Sequence, residues 1–482
     1  MTHSSNTHPT VLVVFGATGD VVAKKIIPAI LELWLAGSLP SLFRVIGFSR
    51  RELSTTEFQS YVRDLLHKRG TAMDEDVVST FIALFSYVRG NLDVQTDYDR
   101  LAEAIGHHVG SGETCVNSLF YLAVPPDLYE PIFINLSRSG LAASCGETSW
   151  TRILVEKPIG MDSATSETLD LLMSQLFREE QIYRIEHYLA KEMIRNLLAF
   201  RFGNNLFEGL WDRSFIERID LRLWESIGVE SRGNFYDKVG TLRDVGQNHL
   251  LQMLALTTME RPASFAPEAI RARRAELLAM IRPLSSAEVA THTFRAQYEG
   301  YKAIPGVGPD SRTETFFAVT TFLDTPRWKG VPIRMEAGKR LGRVRKEIEI
   351  LMRHPSPCLC PPGEHHRNRL TITLEPIEGI AVVWWSKKPG HGWEMEERSL
   401  DFVLRNASER IQYTEEYQKV LLDAIYGDQT LFVSTDELKS MWRFVDPIQA
   451  VWQKGLVPFV RYAPDSEEPV RAADQHFLNL LT

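Results

Sequence analysis

A chain of 482 residues is too long for one ordinary core, and about 150 residues per domain predicts two or three units. With 44% apolar and 24% charged residues it reads as a folded globular chain, which excludes disordered and fibrous architectures. Its 54 basic and 62 acidic residues leave a net charge of −8, arguing against nucleic acid or an anionic membrane as an extended partner.

Residues 1–9 are polar and lead straight into an apolar strand, without the basic region and apolar core of a signal peptide. No run reaches the roughly 18 apolar residues of a bilayer span. Four cysteines (Cys115, Cys145, Cys358, Cys360) are too few for a disulfide framework, so a cytoplasmic protein is expected.

Val11 to Phe15 is a continuous apolar run, the pattern of a strand buried on both faces. Lys24 to Ala36 follows as a helix that Gly37 stops. Phe43 to Phe48 (strand), Thr55 to Lys68 (helix) and Ala83 to Val88 (strand) continue the alternation. Asp97 to Gly106 (helix), Ser118 to Val124 (strand), Leu128 to Ser137 (helix) and Arg152 to Val155 (strand) complete it. This order predicts a parallel, doubly wound sheet.

Beyond residue 185 the texture changes. Helical stretches at Lys191 to Phe202 and Thr241 to Thr257 flank Phe215 to Glu225, which alternates apolar and polar residues. Similar alternation recurs at Thr315 to Leu323, Pro332 to Glu336, Arg345 to Leu351, Leu370 to Glu375 and Gly379 to Trp385. A large, mainly antiparallel sheet packed on helices is expected. Ala263 to Arg282 reads as a solvated amphipathic helix, Pro355 to Arg369 as a loop, and Tyr413 to Tyr426 and Thr435 to Lys454 as long helices.

Between the first strand and first helix lies Gly16-Ala17-Thr18-Gly19-Asp20-Val21. Its glycines would let backbone approach a pyrophosphate at the helix N-terminus; taken alone, Gly-x-x-Gly is also an ordinary tight turn. After the second strand, Arg50 and Arg51 stand where a ribose 2′ substituent would lie, which favours NADP, although Glu52 is adjacent and keeps NAD open. Glu156-Lys157-Pro158 ends a buried strand at the edge where ligands gather. In Arg184 to Glu192, His187, Tyr188 and Lys191 offer three donors to a phosphate. The run Tyr236 to His249 enters a helix bearing Asp244 and His249, five apart and too far round for a one-face pair.

These residues resemble the glucose-6-phosphate dehydrogenase family over almost the whole chain. Its GAS/TGDL loop resembles Gly16 to Val21, its EKP element Glu156 to Pro158, and its RIDHYLGKE signature Arg184 to Glu192. Its YDxxGxxRDxxQNHLLQ run is matched from Tyr236 through Gln252. Gly338-Lys339, Lys387 to Gly390 and Tyr417 to Phe432 are similar to its C-terminal half.

The resemblance implies NADP-dependent oxidation of glucose 6-phosphate at C1 to 6-phosphoglucono-1,5-lactone, the first step of the oxidative pentose phosphate pathway. It implies an NAD(P)-binding, Rossmann-like domain over residues 10–185 and an α+β substrate-binding and oligomerisation domain over 186–482, with a homodimer or homotetramer formed through the large sheet. By carry-over His249 is the general base, and Glu186 stands at the aspartate that orients it. His187, Tyr188 and Lys191 would hold the phosphate, and Glu225, Asp244 and Lys339 the sugar hydroxyls. Lys25 would lie near substrate, and Lys157 would bridge substrate and cofactor. Gly16 to Val21, Arg50 and Tyr129 would contact the dinucleotide.

Two positions depart from the pattern. Glu186 replaces aspartate, adding roughly 1 Å of reach, and Ala190 replaces a glycine. They leave a second reading: a catalytically weakened member that binds sugar phosphate or nucleotide as a regulatory or assembly subunit. A third is another sugar oxidoreductase on the same plan, opposed by the phosphate donors Lys191, His187 and Tyr188. Cys358 and Cys360 with His354, His365 and His366 lack zinc-ligand spacing, so no metal is expected. Trp384-Trp385 reads as sheet packing, and Arg340, Arg343, Arg345 and Lys346 as mostly solvated.

Overall fold

The computed structural model describes residues 8–69, 73–107, 115–145, 148–357, 359–360, 365–404 and 412–478. Most of the polar tail and Cys358 lie outside the described residues. The first strands are β1 (Thr10–Phe15), β2 (Phe43–Ser49), β3 (Phe85–Arg89), β4 (Asn117–Leu122), β5 (Thr151–Val155) and β6 (Ile182–Ile185). Then come β7 (Ile216–Trp224), β8 (Thr293–Tyr298), β9 (Phe316–Thr321), β10 (Ile333–Gly338), β11 (Arg345–Met352), β12 (Arg369–Glu375), β13 (Gly379–Lys387) and β14 (Met395–Val403). β15 (Phe432–Val433) and β16 (Phe459–Tyr462) close the series.

The apolar runs become the parallel strands of a first sheet, ordered β3-β2-β1-β4-β5-β6-β15. Strand order reverses between β1 and β4, the point at which a doubly wound sheet opens a crevice for a ligand. Helices cover it, several fixed by local chemistry: Ser54 and Glu57 form a reciprocal cap at Thr55–Lys68, as Ser434 and Glu437 do at Thr435–Gln453. β15 comes from the second half of the chain and pairs antiparallel with β6, Phe432 opposite Ile185. One continuous buried core runs from Val11 through Ile219 to Trp452, so the two units are fused.

The second sheet is ordered β14-β13-β12-β11-β7-β10-β9-β8-β16. It is antiparallel except where β7 meets β10 and β8 meets β16, as expected from the alternating segments. Sequence reading did not resolve β6, β8, β14, β15 or β16, nor the helices Glu75–Ile82, Ser163–Leu176 and Glu468–Leu478.

One expectation is corrected, and one disulfide is present that falls short of a framework. The helix Pro267–Ala279 is not merely solvated: Arg274 is buried, with Nε 2.8 Å from Glu437 Oε1, and Ile270 and Leu278 enter the core. A buried guanidinium needs such a carboxylate, and the partner lies too far along the chain to be read locally. Cys115 and Cys145 are joined in a disulfide, because the segments entering neighbouring strands β4 and β5 bring their Cα atoms to 5.3 Å.

Candidate active site

The polar segments meet in a cavity of about 700 Å³ at the carboxyl ends of β4 and β5, closed on the other side by the ends of β7 and β10. Gly16 sits at φ 75° beyond β1; a Cβ there would come within 2.5 Å of the Ala123 carbonyl oxygen beyond β4, so only glycine fits. Its N–H donates to Phe48 O at 2.9 Å, and Gly19 N–H returns to Gly16 O at 2.8 Å. The turn delivers the chain to a π-helical turn, Val22–Ile26, and the α-helix Ile27–Leu35. Ala17 is buried, Thr18 is half-buried, and Asp20 pairs with Lys24 at the surface, while Val21 borders the cavity.

Arg50 is exposed beyond β2. Glu52, the acid that could compete for a ribose, is taken by Arg89 at 2.8 Å. Tyr129 is not brought to the cavity. Its ring is wholly buried and its hydroxyl donates to Glu156 O at 2.8 Å, bracing the backbone one residue before Lys157.

His249 lies in the π-helical segment Leu242–Leu250, which joins Gly233–Thr241 to Leu251–Thr258. This corrects the one-face argument. With i→i+5 bonding, residues five apart come to the same side, and Asp244 and His249 both border the cavity. Lys157 Nζ ties them together, donating to Asp244 O at 3.0 Å and to His249 Nε2 at 2.9 Å. An ammonium can only donate, so Nε2 accepts and the ring hydrogen sits on Nδ1. Nδ1 then donates to Glu186 Oε1 at 2.5 Å, and that oxygen also accepts the Tyr188 N–H at 2.9 Å. The Tyr188 ring stacks on His249, centroids 4.1 Å apart.

Burial, reinforced by the nearby Lys157 charge, holds the His249 imidazole well below its ordinary value. Burial also pushes the Glu186 carboxyl up, against the pull of His187 and Lys157. Asp244 is driven up by burial but ends below its ordinary value, because Lys157 and Arg232 outweigh that effect. The imidazole is therefore neutral at physiological pH, with one nitrogen fixed by a carboxylate and the other held by Lys157 at the cavity wall. That is the arrangement of a general base.

The remaining expected residues converge. His187, Tyr188, Lys191, Glu225, Lys339 and Lys25 all border the cavity. Glu225 Oε2 and Lys339 Nζ are 2.5 Å apart at the ends of β7 and β10. Lys25 Nζ reaches the Tyr417 hydroxyl at 3.4 Å, and burial lowers its ammonium despite Glu156 and Glu416.

Sequence reading missed Glu375, Glu416 and Tyr417 and left Lys346 in a mostly solvated basic run of which some members could reach substrate; all four border the cavity. Lys346 had a signal. It lies opposite Leu223 in register with Ile348 opposite Leu221, a cation on the apolar face of β11. Outside the cavity, Cys360 Sγ is 3.3 Å from His354 Nε2. Among the described residues no group of three or more His, Cys, Asp or Glu could hold a metal.

Residues 13–196 match the family model for the glucose-6-phosphate dehydrogenase NAD binding domain, and residues 198–478 match that family's C-terminal domain. The chain belongs to the glucose-6-phosphate dehydrogenase family. It is 36% identical over 468 residues to glucose-6-phosphate 1-dehydrogenase 6, cytoplasmic, of Arabidopsis thaliana, covering 96% of this chain and 90% of the relative. It is 38% identical over 448 residues to the glucose-6-phosphate 1-dehydrogenase of Aggregatibacter actinomycetemcomitans, covering 91% of this chain and 90% of the relative. A solved glucose-6-phosphate dehydrogenase in complex with its substrate glucose-6-phosphate superposes with a TM-score of 0.87 at 32% identity, over 97% of this chain and 98% of that one. Family membership accounts for both the two-sheet plan and the conjunction of phosphate loop, EKP element and QNH helix.

Proposed function

We propose that this protein oxidises glucose 6-phosphate at C1 to 6-phosphoglucono-1,5-lactone, with NADP as preferred oxidant. The observation that carries the reading is the hydrogen-bonded series Glu186–His249–Lys157 at the wall of a cavity built by both sheets. In it, His249 Nε2 takes the C1 hydroxyl proton while Glu186 holds Nδ1–H and stabilises the imidazolium that forms. Lys157 moves from Nε2 toward the incoming hydroxyl and keeps the oxygen in reach. Glu225, Asp244 and Lys339 bind sugar hydroxyls, and His187, Tyr188 and Lys191 bind the phosphate.

The turn Gly16 to Val21 joins β1 to the first helix, the place where free backbone N–H groups suit a pyrophosphate. When bound, the dinucleotide supplies the acceptor for the hydride leaving C1. Arg50 would meet a 2′-phosphate, supported by its exposure and by the capture of Glu52 by Arg89.

The reading of a weakened regulatory subunit rested on Glu186 and Ala190, and above all on Glu186 being misplaced. Its oxygen at 2.5 Å from Nδ1 speaks against that. A homodimer or homotetramer through the large sheet is supported by an apolar patch on its outer strands, where Leu400 is 59%, Phe402 54% and Trp384 44% exposed. A cytoplasmic setting accords with the plant relatives' names; no helix among the described residues is long and apolar enough to cross a membrane. Steady-state formation of reduced nicotinamide from glucose 6-phosphate, with NADP and NAD in parallel, tests the reading.

A further inference from the structure

At the edge of the cavity four charged side chains interlock. Lys191 Nζ donates to Glu416 Oε1 at 2.7 Å and to Glu375 Oε1 at 2.9 Å, and Lys346 Nζ lies 2.7 Å from Glu375 Oε2. Lys191, Lys346 and Glu416 are buried. Both ammonium groups stand beside the Tyr188 ring, at 5.1 Å and 6.0 Å from its centroid. Nearby, the buried His187 Nδ1 has no hydrogen-bond partner among the described residues. Lys191, the cation assigned to phosphate, is thus already held by two carboxylates, one of which also holds Lys346.

We propose that Glu375 and Glu416 are built-in counter-anions, which the sugar phosphate must displace from Lys191 and Lys346, and that this displacement takes up a proton on Glu416. The proposal rests on the assignment of the phosphate to His187, Tyr188 and Lys191. A phosphate dianion arriving beside two ionised glutamates would crowd four negative charges around Lys191, Lys346 and Lys25. In a water-poor pocket that excess is relieved when one carboxyl becomes neutral.

Glu416 is the better acceptor. Burial raises it, and Lys191 offsets that only in part. Burial also pushes Glu375 up, but Lys191 and Lys346 outweigh it and hold Glu375 low. The groups around Glu416 are Lys191, Lys346 and Glu375 from one side, Lys25 from the first helix, and the Tyr417 phenol beside it. Burial keeps that phenol neutral. The bound state holds one more proton than the free state, so Glu416 makes affinity fall as pH rises above its free value and adds no slope below it.

Calorimetric titration of the intact protein with glucose 6-phosphate, in two buffers of different ionisation heat, counts the protons. At about pH 8 the ligand is a dianion, its second pKa being near 6. The wild type is expected to take up protons and Glu416→Gln to take up fewer. Glu416→Gln should lower KM for glucose 6-phosphate about three- to tenfold, whereas Lys346→Gln should raise it about tenfold. A purely structural network would move both in the same direction.

No uptake by the wild type, equal uptake in Glu416→Gln, or a raised KM in that variant would overturn the proposal. Lys191→Ala separates the two levels. If it raises KM for glucose 6-phosphate no more than for glucose, the phosphate assignment itself fails. If it does so selectively while Glu416→Gln does not lower KM, only the counter-anion proposal fails.

Discussion

Glu186 Oε1 stands 2.5 Å from His249 Nδ1, 63 residues away in sequence, and the same oxygen is held by the Tyr188 N–H. The side chain that is one methylene longer than the family's aspartate therefore reaches its target, and the surrounding backbone accommodates that length. Restoring the family residue should consequently harm the enzyme. Glu186→Asp would draw the carboxylate back by roughly 1 Å and is expected to lower kcat about 10²-fold. Glu186→Gln, which keeps length but loses charge, is expected to cost about 10²- to 10⁴-fold. Steady-state rates of the folded variants decide this, and wild-type kcat in Glu186→Asp would contradict the geometry.

The pH profile follows from the same imidazole. As the proposed base His249 would act only when unprotonated, and burial followed by the Lys157 charge holds it below its ordinary value. Log kcat/KM should therefore rise through an acid limb lying below about 6.5, above which only the pH dependence of substrate affinity remains. Lys157→Gln removes one cause of the depression and should move the limb to higher pH. A shift to lower pH would contradict the assignment.

Cofactor choice is expected to rest on Arg50. Hydrogen bonds to charged groups are worth about 1.5–3 kcal/mol, so Arg50→Ala should lower kcat/KM for NADP about ten- to hundredfold. The value for NAD should change little. Equal losses with both cofactors would remove Arg50 from the 2′-phosphate site.

The sheet edge makes a separate claim. Leu400 and Phe402, both exposed on β14, lie on one face opposite Val382 and the buried Ile380 of β13. Sedimentation of the wild type should give a multiple of the chain mass, and Leu400→Asp with Phe402→Asp should shift it toward the single chain. An unchanged mass would place the interface elsewhere.

What could be read from the residues depended on whether a feature was local. β1 and β4 are buried on both faces, so they appear as unbroken apolar runs, and the parallel sheet follows from their alternation with helices. β14 could not be seen this way: as an exposed edge strand it carries Glu396, Glu397, Arg398 and Asp401. β15 is two residues long and owes its existence to β6. The pairing of Arg274 with Glu437 is likewise tertiary.

The proposed catalytic residues were legible because they fall in dense motifs, but their geometry was not. A repeat of 3.6 residues separates Asp244 from His249, while the π-helical turn actually formed there brings them together. Glu375 and Glu416 sit in ordinary strand and helix patterns and acquire meaning only when Lys191 reaches both.

The most direct test is the rate at which the protein reduces NADP with glucose 6-phosphate, measured beside His249→Asn. Wild-type turnover of about 1–10³ per second is expected, with a loss of about 10²- to 10⁴-fold in the variant and glucose 6-phosphate binding retained. Tight binding of glucose 6-phosphate and NADP without turnover, or a variant as fast as the wild type, would contradict it.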